Sequence, residues 1–267
     1  MRLHIVTNNQ TLAYHDYCVE NHLKMISDPS KLEIYSYCLD SYGYMNLVSQ
    51  KRTNVVRLPE GSGSVGHALG IKAFLENLKS DDINIISDGD CIVLAKNWDL
   101  HVEKILETHG IVGTTYEDIG GFSSGNGPAQ TYKRIPNFTW AALSPKHSWN
   151  FDAMCQKQEN LPIDSDELSK TFNLPVGTSL LREGNWRLPI HLRENGIPYY
   201  SLKFVRPTSG DAKAVLSGED YHTEYQLEDG SPFVAHQRGS MSKAFRHHHL
   251  SKTFYDACEA YLNKVNQ

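Results

Sequence analysis

Along the first hundred residues the hydrophobic positions switch repeatedly between a period of two and a period near 3.6. "LHIVTNN" reads as a short strand ending in polar residues. "YHDYCVENHLKMISD" follows with helical spacing, placing Tyr14, Cys18, His22 and Met25 on one face, and Pro29 stops it. "KLEIYSYCLD" and "TNVVRLP" are predicted as the second and third strands. "GSGSVGHALGIKAFLENLKS" is predicted as a helix, with Ala68, Ile71, Leu75 and Leu78 on one face and Ser64 as its N-cap. The apolar run "INIISDGDCIVL" reads as the next strand, with Asp88 and Asp90 set into it. Strands alternating with helices predict an α/β fold: a mostly parallel, mixed sheet with helices on both faces.

The middle of the chain carries less periodicity. "TTYEDIGGFSSGNGPAQTYKRIPNFTWAALSP" is predicted as a long loop followed by the strand "FTWAALS". Tyr116, Glu117, Asp118 and Trp140 are candidates for lining a sugar or acceptor pocket. For Trp140, a place in the core is the competing reading. Residues 152–172 read as a solvated loop-plus-helix insertion. "SKTFYDACEAYLNKV" closes the chain as a helix with an apolar stripe of Phe254, Cys258, Tyr261 and Val265. The preceding "RHHHL" reads as a polar loop, because three consecutive side chains rarely converge on one ion.

Composition narrows the classes. The chain has 267 residues, 40% apolar and 21% charged, an ordinary globular balance without repeats. A net charge of −5 does not favour a nucleic-acid surface. No window approaches the ~20 apolar residues of a membrane span, and "MRLHIVTNNQ" lacks the apolar core of a signal peptide. The five cysteines are scattered with no C-x-x-C pair, which predicts reduced thiols in a soluble, cytoplasmic protein.

In sheets of this class, ligands bind outside the carboxyl ends of the strands. Thr7 to Asn9, Asp40 and Asp88 to Asp90 all fall at predicted strand ends. Residues two apart on an extended segment face one side, and two carboxylates so placed repel unless a cation sits near them. Oxygen ligands suit a hard ion such as Mg²⁺ or Mn²⁺. Gly89 leaves room for close approach. The competing reading of "DGD" is a simple turn.

A short apolar strand ending in D-x-D, about ninety residues into an α/β chain, resembles the GT-A-fold glycosyltransferases. "SVGHALGIKAFLENLKSDDINIISDGDCIVLAKNWD" resembles that family's helix–strand–D-x-D segment. "LREGNWRLPIHLRENGIPYY" resembles a later acceptor-side segment, and "VAHQRGS" the late histidine that completes the metal shell. The resemblance implies a single domain over 1–267: a nucleotide-binding half at 1–100, an acceptor half at 101–235, and a C-terminal lid and helix at 236–267. It implies Mn²⁺ or Mg²⁺ on the diphosphate of a nucleotide sugar, such as a UDP-sugar or GDP-sugar, and a saccharide or glycoconjugate acceptor. Asp90 would be the main metal ligand, Asp88 would contact ribose or a metal-bound water, and His236 would add a ligand. Thr7, Asn8, Asp40 and His67 would bound the donor pocket. Arg238, Lys243 and Arg246 would clamp diphosphate as a lid. Glu183 is the candidate base, flanked by Arg182 and Gly184 where the family has two adjacent acids, and Asp118 is the reserve.

Three rival readings share these residues. "GSGSVG" is a G-x-G-x-x-G (Gly61, Gly63, Gly66) opening a helix, which would suit a dinucleotide-dependent oxidoreductase; it follows the third strand rather than the first. "DGDCI" approaches the D-x-D-x-T/V of haloacid-dehalogenase-type phosphatases, with Ile92 at the last position and far from the N-terminus. A non-catalytic nucleotide-sugar or carbohydrate-binding protein is the third.

Overall fold

The computed structural model describes residues 1–7, 12–60, 63–115, 122–124, 127–129, 135–150, 188–205, 215–216, 222–237 and 248–265. In the first half it alternates strand and helix: β1 (Arg2–Thr7), α1 (Leu12–Met25), β2 (Glu33–Cys38), α2 (Ser41–Gln50), β3 (Asn54–Arg57), α3 (Gly63–Glu76), β4 (Asn84–Asp88) and β5 (Cys91–Val93). Then come α4 (Trp98–Leu106), β6 (Ile111–Gly113), β7 (Phe122–Ser124), β8 (Gly127–Ala129) and β9 (Trp140–Leu143). The last described elements are α5 (Leu188–Glu194), β10 (Tyr199–Ser201), β11 (Lys203–Val205), β12 (His222–Gln226), β13 (Pro232–Gln237) and α6 (His248–Val265).

Seven strands form one sheet in the order β10-β6-β9-β4-β1-β2-β3. β1 runs parallel to β2 and β4, β2 to β3, and β6 to β10. β9 alone is inserted antiparallel, between β4 and β6. The predicted mostly parallel, mixed sheet is therefore what the chain forms.

Residue parity along the strands divides the core. Leu3, Ile5, Ile85, Val112 and Ala142 join one apolar cluster with Cys18, Val19 and Met25 of α1, Trp98 and Val102 of α4, and Phe254, Cys258 and Leu262 of α6. Their neighbours Val6, Ile86, Ile111 and Ala141 point the other way, into a cluster with Ile71, Phe74 and Leu75 of α3 and Leu188 and Leu192 of α5. Apolar residues on both sides of each strand are what a sheet covered on both faces requires.

A second sheet, β11-β12-β13-β5, is antiparallel throughout. Its residues Ile92, Val93, Phe233 and Ala235 complete the first cluster.

Several local expectations need correction. "INIISDGDCIVL" is not one strand: β4 belongs to the first sheet, β5 to the second, and Gly89 and Asp90 turn the chain between them. α3 begins at Gly63, so Ser64 lies inside its first turn and not at the N-cap. Among the described side chains of α6 the buried ones are Phe254, Cys258 and Leu262, at strict i, i+4 spacing, whereas Val265 is exposed. Asp40, read as a strand end, also N-caps α2: its Oδ1 accepts the Gly43 N–H at 2.7 Å.

Candidate active site

The strand order reverses at β1. β2 and β3 lie on one side of it, β4 on the other, and α1, which follows β1, and α3, which precedes β4, cover opposite faces. Chain connections diverge at such a point and leave a crevice at the carboxyl ends of the strands. Val6 of β1 pairs with Asp88 of β4, so Thr7 and Asp88 end adjacent strands there. Thr7 itself is buried, and its carbonyl accepts the Leu39 N–H at 3.1 Å.

"DGD" occupies this crevice, and its two carboxylates are not equivalent. Asp88 ends β4, and its Oδ1 lies 3.4 Å from Nε2 of His67, in the early part of α3. Asp90 lies in the turn before β5, and its Oδ1 lies 3.3 Å from Nε2 of His236 on β13. The second contact follows from sheet register: His236 pairs with Cys91, so the turn before β5 meets the end of β13. Gln237 N–H also donates to the Asp90 carbonyl at 3.2 Å, tying the turn to that strand. Each carboxylate of the turn thus faces an imidazole of its own, His67 on one side and His236 on the other.

Gly89 is closely backed. A Cβ there would stand 3.4 Å from the Val6 carbonyl oxygen and 3.7 Å from His15 Cα, which is ordinary contact. A β-carbon is therefore accommodated at residue 89, against the chain's own backbone.

Asp90, Cys91 and His236 bring one potential ligand atom each to within 4.8 Å of one another. Cys91 is the poorest of the three. Burial, followed by the nearby carboxylates, pushes its thiol far up, and the thiol donates to the Thr139 carbonyl at 3.5 Å. Ligation through sulfur needs the thiolate, so it would cost both that proton and that hydrogen bond. What remains is a carboxylate and an imidazole, with Asp88 close by in the chain, a donor set suited to Mn²⁺ or Mg²⁺. Thr223, which faces His236 across β12 and β13, carries a buried hydroxyl with no hydrogen-bond partner among the described residues. An unpaired buried hydroxyl beside such a pair suits a site that takes up an ion or water. Residues and surroundings therefore fit a hydrated divalent cation.

The remaining expected site residues divide plainly. Asp88, Asp90, His67 and His236 come together around one turn. Asp40 lies beyond the end of β2, next in the sheet to β1, as the cap of α2. Asn8, Asp118, Glu183, Arg238 and Lys243 lie outside the described residues, as do Tyr116, Glu117 and Arg246. Trp140 belongs to the core: it is fully buried, packs edge-on to Trp98 and Phe233, and donates its indole N–H to His22 Nε2 at 3.3 Å. Thr223 carries no sequence signal: it lies in a short strand whose place at the site is set by pairing with β13 and not by local pattern. A cavity of about 310 Å³ lined by Met1, Ile26, Asp82, Asp99 and Glu103 lies at the amino ends of β1 and β4, the opposite edge of the sheet.

No family model matches the sequence, and no curated protein matches it. Several solved structures are similar. An active-site mutant of LgtC aligns at 12% identity and a TM-score of 0.45, over 74% of this chain and 72% of that one. The mannosyltransferase PcManGT from Pyrobaculum calidifontis, solved with GDP-Man and Mn²⁺, aligns at 13% identity and a TM-score of 0.43, over 75% and 53%. S. aureus TarS in complex with UDP aligns at 15% identity and a TM-score of 0.36, over 49% and 38%. The alignments cover 27%, 47% and 38% of the first three TarS chains, less than half of each.

Proposed function

We propose that the chain is a single-domain, metal-dependent GT-A-type glycosyltransferase that moves a sugar from a nucleotide-sugar donor to a saccharide or glycoconjugate acceptor. The observation that carries this reading is the pairing of the two "DGD" carboxylates with His67 and His236 in the crevice where the strand order reverses. A largely buried carboxylate–imidazole pair beside the unpaired Thr223 hydroxyl suits a divalent ion.

Asp90 and His236 would hold Mn²⁺ or Mg²⁺, which when bound neutralises charge developing on a leaving nucleoside diphosphate. Asp88, kept off that pair by His67, is free to accept from a ribose hydroxyl or from a water of the site. Thr7, Asn8 and Asp40 bound the nucleotide pocket on the β1 and β2 side, completing the donor half over 1–100. Arg238, Lys243 and Arg246 follow β13 directly and supply cations for diphosphate oxygens. Glu183, with Asp118 in reserve, takes the acceptor proton in the 101–235 half. The donor is a UDP-sugar or GDP-sugar, and the site is a cytoplasmic one. Among the described residues no helix is long and apolar enough to cross a membrane.

The test is a panel of nucleotide sugars with Mn²⁺, scored by thermal shift and by release of free sugar. A donor that both stabilises the chain and is hydrolysed supports the reading. Stabilisation without turnover for every donor and acceptor favours a non-catalytic nucleotide-sugar-binding protein. An oxidoreductase is disfavoured by placement: the glycine-rich motif opens α3 after β3, an edge strand of the sheet. A dinucleotide turn follows the central first strand.

A further inference from the structure

We propose that Asn137 is a specificity-determining residue of the crevice, its side-chain N–H groups donating to a hydroxyl oxygen of the sugar that the donor carries. The proposal deepens the glycosyltransferase reading and rests on it.

Hydrogen bonds tie Asn137 to the "DGD" turn. β9 runs antiparallel to β4 with Trp140 opposite Ser87, so the residues just before Trp140 lie beyond the end of β4. Asn137 Oδ1 accepts the Thr139 N–H at 3.0 Å, and the Thr139 carbonyl accepts the Asp88 N–H at 2.8 Å. The Cys91 thiol donates to the same carbonyl, so Thr139 braces the turn at both ends. The Asn137 N–H donates to the Thr114 carbonyl, just past β6, at 2.7 Å. Asn137 therefore sits at the carboxyl ends of β4 and β6, across β4 from β1, β2 and the nucleotide pocket proposed there. A donor whose diphosphate lies at the turn extends its sugar to this side.

The polarity of the amide is fixed by its partners. A backbone N–H can only donate, so the Thr139 N–H faces the carbonyl oxygen and not the NH₂. The Thr114 hydroxyl donates to that same oxygen at 2.6 Å. What the side chain has left to offer is its NH₂. Asn137 is 3% exposed, and its Nδ2 is buried without a hydrogen-bond partner among the described residues. Native chains keep few such groups, and each calls for a partner that binds there. A neutral donor suits a sugar hydroxyl. A site built to bond one hydroxyl strongly rejects a sugar that lacks it.

The experiment uses the full chain with Mn²⁺. Affinities for UDP, GDP, UDP-glucose, UDP-galactose, UDP-N-acetylglucosamine and GDP-mannose are measured by calorimetric titration for wild type, Asn137→Ser and Asn137→Ala. Melting temperatures are measured without ligand. A serine hydroxyl can accept the Thr139 N–H in place of the amide oxygen, and alanine cannot. Neither supplies the N–H groups. Both variants should bind the nucleotide sugar that wild type prefers about 10-fold more weakly, although only Asn137→Ala should melt lower. Asn137→Ser should bind UDP and GDP as wild type does. Wild-type affinity of Asn137→Ser for every nucleotide sugar overturns the proposal. So does an equal loss for diphosphate and nucleotide sugar in that variant, because the residue would then only shape the turn, with a buried water on its amide. If wild type binds none of the six ligands, the glycosyltransferase reading falls and the Asn137 role with it. If wild type binds UDP or GDP and no nucleotide sugar separates it from the two variants, that reading stands and only the Asn137 role falls.

Discussion

Gly70 of α3 stands directly against Val6 of β1: a β-carbon at residue 70 would fall 2.4 Å from Val6 Cγ2 and 3.1 Å from its Cβ. Val6 is β-branched and cannot swing aside cheaply. It also pairs with Asp88, and α3 carries His67. The close approach of helix to strand is what brings that imidazole to the end of β4. Gly70→Ala gains up to ~1 kcal/mol of helix propensity but incurs about 1–3 kcal/mol of overpacking. The expected outcome is a net loss of stability in urea unfolding, together with weaker nucleotide binding as α3 lifts away from Asp88.

The asymmetry of "DGD" predicts unequal variants. Asp90→Ala should abolish the Mn²⁺-dependent thermal shift given by UDP or GDP and leave the fold intact. Asp88→Asn should reduce nucleotide binding more mildly, since its carboxylate faces His67 and not the Asp90–His236 pair. Equal loss in both variants would show that the two carboxylates act as one unit. An undiminished shift in Asp90→Ala would remove the metal from this turn.

Stability should fall on mild acidification. Burial lowers the pKa of His4, His22 and His222 to about 4 in each case. The unfolded chain takes up these protons near 6.5, the folded chain only near 4, so the unfolded state binds more protons between those values. The contribution of each histidine is therefore complete above about pH 6.5 and is lost as pH falls toward 4, by on the order of 1–3 kcal/mol per residue. Glu224 opposes this. Burial raises its pKa despite two backbone N–H donors, and its contribution is lost as pH rises through the raised value. Denaturant midpoints between pH 7 and pH 4 should drop, and His22→Gln should flatten part of that slope.

For the transfer step, Glu183→Gln keeps shape and removes basicity. Transfer should fall by about 10²- to 10⁴-fold, the usual loss of a general base, while donor binding stays near wild type. Unchanged turnover eliminates Glu183, and a retained anomeric configuration in the product removes the need for such a base.

The alternation of periods made the first sheet legible. β1, α1, β2, β3, α3, β4 and β9 all appear where the hydrophobic pattern put them, and strand ends located the crevice. α2 was not read as a helix: "SYGYMNLVSQ" buries only Gly43 and Leu47, too few positions to set a period. The split at Gly89 was invisible for a different reason. β4 and β5 are both apolar, and only pairing of β5 with β13, far along the chain, assigns them to separate sheets. That same pairing sets His236 beside Asp90, so local pattern alone could propose the partner but not the register that brings it there. Trp140 shows the reverse case, where an aromatic suited to sugar stacking is instead a core residue satisfied by His22.

Asn21 of α1 has an effect beyond its own helix. Its side-chain amide donates to the Val93 carbonyl at 3.0 Å and accepts the Val93 N–H at 2.7 Å, on the outermost strand of the second sheet. A single amide thus copies the two bonds that a neighbouring strand would make. The rim of that sheet is closed at Val93 to an incoming extended peptide, so the second sheet is protected there against growth by strand addition or self-association.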